Sequence, residues 1–495
     1  MSPQEPHGTS PSSTKTLRAT AVLLVLIVAV FYLSTEHEGD HWGDDFALYL
    51  HHAKNIATGI PYVQTGYVFN PRTPDYSPAY YPPVFPLALS IVYSFRGLDW
   101  HALKVEQSIF LLCAALAIGL YFRRWLSPWL ALLLFAIVAC NPQFYLFHDL
   151  LGAEPLFLCL LFFTLERLER VFQRTGTKGA LTGGFFLGLL FYLCIGCRSA
   201  GLVLLPGAWA FAILRHRRVP KVLAVATALS LALLAVQKVT LGPDLYLAQF
   251  HPTLQVIAAN LYGYGSASQD PWNPGIGLWP AHAIAAVAWV LAALGFFNLM
   301  RLRCIGDRAV EWFAVFYLPL ILAWPAAQSF RFLLPLFPLF VFYMLQGSSW
   351  LVSRLHGERR QWAWVLLVLA ITVNYGFEYK NRVSMETIRE AEGLSTFNEL
   401  CAYTREHVPP GDRIMFSRAR LLSLVTDRPS MTYDHTHDFN GLWNLMQGRQ
   451  IRYLCVSRIL PYDSDDLAPL VASEQSKLKP VFENRDFTLY EVLSY

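Results

Sequence analysis

The chain is 495 residues long, which in a soluble protein would make two to four domains of about 100–200 residues each. Its composition excludes that reading: 54% of the residues are hydrophobic, 15% are charged and the mean hydropathy is +0.35, whereas a soluble domain carries roughly 25% charge. A net charge of +4 and a pI near 8.5 are too mild for a nucleic-acid-binding surface, and 15% aromatic residues exclude a disordered chain. What remains is a mainly α-helical, polytopic membrane protein.

Residues 1–18 read as a disordered cytoplasmic tail, polar and rich in Ser and Pro at its start. The apolar run 19–34 has no small-residue cleavage site on its flank and reads as an uncleaved first helix. Further runs near the spanning length of about 17–25 residues lie near 106–122, 127–143, 152–168, 180–197, 200–214, 221–240, 281–299, 309–327, 329–349 and 361–377. Together they predict about eleven transmembrane helices within 19–377.

Basic clusters fall in every second connection: Arg123/Arg124, Arg167/Arg170/Arg174/Lys178, Arg215/Arg217/Arg218/Lys221, Arg301/Arg303/Arg308 and Arg354/Arg359/Arg360. The positive-inside rule makes these connections cytoplasmic. The stretch from Leu241 to Met300 has no Lys or Arg although it includes a Gly- and Pro-rich loop, so that loop faces outward. The same alternation puts residues 35–105, the turn at His148 and Asp149, the turn at 328–331 and everything after about 378 on the outer side. The expected location is the plasma membrane, with a cytoplasmic N-terminus. No internal repeat of the kind found in many secondary transporters is visible.

Cys194 and Cys197 have redox spacing but sit in an apolar run with no second pair, so they read as packing residues. After about Lys380 the composition becomes that of a soluble α/β domain, residues 378–495. A helix is expected over Ser384 to Val408, ended by Pro409-Pro410-Gly411-Asp412. Strands are expected at 413–417, 452–457, 480–483 and 487–492, the last two joined by a hairpin turn at Asn484-Arg485-Asp486. Cys401 and Cys455 lie in this outer segment, where they could pair. His435-Thr-His437-Asp438 reads as a solvated loop rather than a metal site.

The first outer loop carries the sharpest signal. Asp44 and Asp45 sit side by side where a helix begins, ahead of Phe46, Tyr49, Leu50, Ala53 and Ile56 at helical spacing. One Asp suffices as a cap, stabilised by the helix dipole by about 0.3–1 kcal/mol. A second adjacent acid repels the first, which points to a task such as accepting a proton or holding a divalent cation. Farther on, Tyr76-Ser-Pro-Ala-Tyr-Tyr-Pro-Pro-Val-Phe-Pro86 combines prolines that prevent a regular helix with amphipathic tyrosines, and reads as an interfacial re-entrant segment.

This pattern resembles the GT-C glycosyltransferases. The acidic pair Asp44/Asp45, the helix Tyr49-x-x-x-Ala53-x-Asn55-Ile-Ala57-x-Gly59, the segment Tyr81-Pro82-Pro83 and the late run Arg331-Phe-Leu-Leu-Pro335 occur in order and on one predicted side. The chain is most similar to the bacterial branch related to protein O-mannosyltransferases and aminoarabinose transferases. The resemblance implies an inverting glycosyltransferase that uses a polyprenyl-phosphate sugar as donor and transfers it outside the membrane to a lipid, glycan or protein acceptor. It carries the role of general base, or of metal ligand, to Asp44 and Asp45. It makes Asp149, with His148 and Glu154, a candidate support for acceptor or metal, with Asp44 and Asp149 the candidate metal ligands.

Displacing a sugar from a lipid phosphate also requires cations for the departing charge. Arg331, a planar guanidinium between two apolar runs, suits a phosphate; Arg198, Arg72 and Lys54 are further cations on the outer side. Tyr80 and Tyr81 are candidate sugar or lipid contacts. A divalent cation is an allowed cofactor; no nucleotide is expected, because Tyr262-Gly-Tyr-Gly265 lacks a strand-to-helix unit around it, and no redox cofactor is expected. Two other classes were weighed, a transporter or flippase of a lipid-linked saccharide and a non-catalytic scaffold. A transporter would put its ionisable residues near the midplane, whereas these acids gather at one face.

Overall fold

The computed structural model describes residues 11–37, 45–72, 78–173, 180–217, 219–242, 250, 252–383, 390–434, 438–460 and 462–494. In chain order the helices are α1 Pro11–Ser34, α2 Asp45–Thr58, α3 Val84–Arg96, α4 Trp100–Phe122, α5 Pro128–Ala139, α6 Pro142–Tyr145 and α7 Glu154–Gln173. There follow α8 Ala180–Cys197, α9 Leu204–Ala210, α10 Lys221–Leu241, α11 Leu254–Ala267, α12 Leu278–Arg301, α13 Ala309–Leu322, α14 Ser329–Leu333, α15 Phe337–Val352 and α16 Glu358–Arg382. The last four are α17 Ser395–His407, α18 Ala419–Thr426, α19 Phe439–Gly448 and α20 Ala468–Ser473. The strands are β1 Tyr67–Val68, β2 Arg413–Met415, β3 Ser430–Met431, β4 Ile451–Ser457, β5 Leu478–Glu483 and β6 Phe487–Val492.

The chain forms two compact units. Unit 1 comprises 1–36, 104–235 and 252–385; unit 2 comprises 37–103, 236–251 and 386–495.

Every expected apolar run coincides with helix. Among the described residues, five helices are long and apolar enough to cross a membrane: Lys15–Ser34 of α1, then α4, α10, α12 and α16. The run 127–143 is instead broken, α5 and the segment Pro142–His148 meeting at 60°. Pro142 cannot donate to the α5 ladder, and the Asn141 side chain accepts from the Gln143 and Phe144 amides to start a new helix. Runs 309–327 and 329–349 give the shorter α13, α14 and α15. Within unit 1, α12 and α15 pack backbone to backbone: a Cβ on Gly295 would strike the Tyr343 carbonyl, and one on Gly347 the Leu291 carbonyl. Cys194 and Cys197 are fully buried beside Thr164 Oγ1 and the Ala153 carbonyl, as packing residues.

Two loop expectations are corrected. The stretch 241–280, expected to face outward, contains the helix α11, so Tyr262-Gly-Tyr-Gly265 is helical; Thr253 Oγ1 accepts from the Val256 amide to cap it. After Tyr80-Tyr81-Pro82-Pro83 the chain enters α3 directly, because Pro86 sits in the first turn, where no amide partner is needed.

Unit 2 holds a mixed sheet of order β1-β3-β2-β4-β6-β5. β1, β3, β2 and β4 are parallel, while β6 runs antiparallel to β4 and β5. β4 is central and reads as a nearly continuous apolar run. The Asn484 side-chain oxygen Oδ1 accepts from the Asp486 and Phe487 amides, which forms the expected hairpin turn between β5 and β6. One core gathers Met415, Met431, Leu442, Met446, Ile451 and Leu454; α17 brings Phe397 against Phe487 in a second cluster. The helix expected over 384–408 is described from Ser395, after a short 3₁₀ turn at Ala391–Gly393; residues 384–389 lie outside the described residues. Cys401 and Cys455 are both buried with free thiols and are not cross-linked. Asp438 caps α19 by accepting from the Gly441 amide, while His435 and His437 lie outside the described residues.

The strand β1 comes from the first outer loop. Tyr67 pairs with Ser430 and Val68 with Met431, so loop and C-terminal segment share one sheet.

Candidate active site

In unit 2, Asp45 opens α2; its neighbour Asp44 lies outside the described residues. The helix buries Phe46 through Ala53 on nearly every side, because α3 and α18 both pack on it. That fixes the position from which Asp45 emerges. The Asp45 side chain remains 41% exposed. Its Oδ1 accepts from the Tyr81 hydroxyl at 2.7 Å and from Arg420 Nη1 at 3.2 Å, and the same guanidinium donates to the Tyr81 hydroxyl oxygen at 3.1 Å. Acid, phenol and guanidinium are thus mutually hydrogen-bonded.

Each member is held from behind. The Tyr81 ring stacks on Tyr49 with centroids 4.3 Å apart. The Tyr81 amide donates to His52 Nε2 at 3.2 Å while His52 Nδ1 donates to the Tyr62 carbonyl at 2.8 Å, which sets a neutral imidazole protonated on Nδ1. Burial accordingly lowers the His52 pKa to about 3 and that of His51 to about 4. Arg420 is buried on α18, with its guanidinium over the Tyr67 and Tyr81 rings at 5.2 and 5.4 Å. Its signal in the sequence is an arginine amid Ala419, Leu421, Leu422 and Leu424, at a position that α18 buries.

The other outer-loop candidates are placed apart from Asp45. Lys54 pairs with Asp427 at 2.5 Å, and Arg72 with Asp434 at 2.9 Å and Asp438 at 3.6 Å. Both pairs fasten the first loop to the C-terminal segment. The Tyr80 hydroxyl donates to the Gly242 carbonyl at 2.7 Å.

In unit 1, Glu154 begins α7 and is 3% exposed; both Arg198 and Arg331 donate to its Oε1. Arg198 precedes the turn after α8, and Arg331 lies on α14. Two guanidinium groups thus converge on one carboxylate, with Arg331 the more accessible at 31% exposure. The sequence expectation gave Glu154 to acceptor or metal; its partners here are the two arginines. Asp149 meets the ammonium of Lys104 at 2.9 Å, a lysine of 1% exposure that the sequence reading passed over because it lies at the start of an apolar run. Gln107 donates to the Leu150 and Gly152 carbonyls at 2.7 and 2.9 Å and fixes that turn. His148 Nδ1 donates to the Tyr145 carbonyl at 2.7 Å. His148 and Asp149 offer ligand atoms within 4.8 Å of each other.

The fold was compared with solved structures. ArnT from Cupriavidus metallidurans, bound to undecaprenyl phosphate, superposes with a TM-score of 0.58 at 11% identity, covering 95% of this chain and 97% of that one. The Archaeoglobus fulgidus oligosaccharyltransferase tethered to an acceptor peptide gives 0.60 at 11% identity, covering 88% and 69%. The same enzyme with Zn and sulfate gives 0.59 at 14% identity, covering 88% and 68%. The protein has the GT-C fold. No family model and no curated protein sequence matches the chain, so the GT-C likeness rests on the course of the backbone. Within that fold, α2 with Asp45 and α14 with Arg331 both derive from motifs on which the sequence resemblance was drawn.

Proposed function

We propose that this protein is an inverting glycosyltransferase that moves a sugar from a polyprenyl-phosphate donor to a hydroxyl acceptor on the outer side of the membrane. The observation that carries the reading is the GT-C fold over nearly the whole chain, in alignment with a structure of ArnT that holds undecaprenyl phosphate. The residues supply the chemistry the reaction needs. The acceptor hydroxyl gives its proton to a carboxylate of the Asp44/Asp45 pair, and its oxygen attacks the anomeric carbon. The bond from that carbon to the phosphate oxygen breaks, the electron pair leaves with the polyprenyl phosphate, and the configuration inverts. Arg331, partly exposed and held by Glu154 with Arg198 behind it, meets the charge growing on the phosphate. Tyr81 orients the Asp45 carboxylate, and Tyr80 and Tyr81 border the sugar.

Membrane insertion follows the basic clusters, with the N-terminus cytoplasmic and residues 378–495 outside. The oligosaccharyltransferase has been crystallised with Zn and sulfate. Here His148 and Asp149 provide an imidazole and a carboxylate, two ligands suited to a divalent cation. A cation there would neutralise charge near the acceptor; the Lys104 ammonium already does so for Asp149.

Purified protein in proteoliposomes, given polyprenyl-phosphate sugars and membrane acceptors, should release free polyprenyl phosphate together with a glycosylated product. Donor that crosses the bilayer unchanged would identify a flippase instead. Complete inertness toward every lipid-linked sugar and acceptor, in protein that still folds, would overturn the proposal.

A further inference from the structure

Unit 1 contains a groove of about 800 Å³ whose lining includes none of the residues proposed above for sugar transfer. It lies between α1, α5, α15 and α16, at the end of the helices that carries the basic connections. Its walls divide by chemistry. Leu24, Leu133, Ala136 and Val368 make one part apolar, whereas Ser127, Gln346, Ser349 and Arg360 supply hydrogen-bond donors and a charge. Trp129 and Trp364 also line it, a residue type enriched at membrane interfaces.

Gln346 Nε2 donates to the Trp125 carbonyl at 3.4 Å, but two donors of the polar part find no such partner. Arg360 has no ionic partner among the described residues. Trp125, also in the lining, has a buried indole N–H with no acceptor among them. Arg359 neighbours Arg360, and Arg123 lies in the turn before Trp125, where Arg124 is already paired with Glu166 and Glu169, so Arg359, Arg360 and Arg123 supply the positive charge at this mouth. The groove asks for a ligand with an anionic head and an apolar tail. Basic pockets between transmembrane helices on the Lys/Arg-rich side take anionic lipid headgroups, at roughly one tenfold step in affinity or slightly less per neutralised charge.

We infer that this groove is a binding site for an anionic glycerophospholipid of the leaflet on the basic side, its phosphate held by Arg360 with Ser127, Ser349 and Gln346, and one acyl chain lying along α1 and α5. The site is separate from the sugar-transfer residues, so its occupancy is read without any donor present.

The test uses the full-length protein purified in mild detergent, with native mass spectrometry after exposure to vesicles of phosphatidylethanolamine alone or mixed with phosphatidylglycerol. Wild type should retain phosphatidylglycerol over phosphatidylethanolamine by about tenfold. Arg360→Glu should lose that preference, Arg360→Lys should keep it, and Arg359→Glu, a matching charge change beside the groove, should keep most of it. Equal retention of the two lipids by wild type, or equal losses in Arg359→Glu and Arg360→Glu, would overturn the site. So would preferential retention of added polyprenyl phosphate in the same groove, read as protection of Trp129 and Trp364 from an aqueous quencher by that lipid alone.

Discussion

Asp45→Asn should abolish transfer and also loosen unit 2, and the second effect can be worked from the structure. The substitution keeps the side chain's size but withdraws the negative charge that accepts from Arg420 at 3.2 Å and from the Tyr81 hydroxyl at 2.7 Å. A hydrogen bond to a charged group contributes about 1.5–3 kcal/mol. The buried guanidinium, 1% exposed, cannot replace the lost counter-charge with water, whereas the Asp45 carboxylate at 41% exposure is already partly solvated. That asymmetry puts the loss at about 2 kcal/mol, and a unit of this size shifts by roughly 2–4 °C per kcal/mol. The melting transition of unit 2 should therefore fall by about 4–8 °C. Adding Arg420→Met removes the stranded charge and should restore at least half of that stability, as replacing a charged network by apolar groups often does, while transfer stays absent. Arg420→Met alone leaves the acid but frees it to rotate, and should lower kcat about tenfold with little change in donor KM. Differential scanning fluorimetry on all three variants, with single-turnover transfer assays, measures both effects. If Asp45→Asn melts with wild type, or if Arg420→Met turns over at the full rate, the network neither loads nor orients the acid.

Arg331→Ala should raise the KM for the lipid donor about ten- to a hundredfold, at about 1.4 kcal/mol per decade, and Arg331→Lys should recover part of it as a point charge without the planar fork; an unaltered donor KM sinks its phosphate role. Glu154→Gln removes the buried counter-charge on which Arg198 and Arg331 converge and should reduce folded yield in detergent more than Arg331→Ala does, measured by size-exclusion chromatography. Unit 2 should lose stability in acid. The folded pKa values of His51 and His52 lie below the ordinary value near 6.5, at about 4 and about 3. The unfolded chain therefore binds more protons below pH 6.5, so their contribution is whole above that pH and falls by about 1.4 kcal/mol per pH unit for each histidine down toward the folded values. A flat pH–melting profile between 6.5 and 4.5 would contradict this. Gly347→Leu should abolish detergent-stable protein, since its side chain meets the Leu291 carbonyl of α12; normal monodisperse yield would refute backbone-to-backbone packing.

The sequence by itself determined the membrane class and the position of the long apolar helices. Hydropathy over about 20 residues is a local quantity, and each run it marked contains helix, while α3 and α11 fell outside those runs; β4, β5, β6 and the Asn484 turn were equally legible, because alternation, apolar runs and turn chemistry are written within a few residues. It also pointed to Asp45, Tyr81, Glu154, Arg198 and Arg331 as charged or amphipathic residues at costly places. Partnership was decided only in three dimensions. Nothing near Asp45 announces Arg420, which lies 375 positions away and reaches it because β1 of the first loop joins β3 in one sheet. Glu154 reads as a first-turn acid until the chain folds back to bring Arg198 and Arg331 to the same oxygen. Lys104 reads as the edge of an apolar run until Asp149 faces it. Desolvation and charge pairing depend on distance in space rather than along the chain, so the sequence showed which side chains carry chemistry and the tertiary structure decided which of them act together.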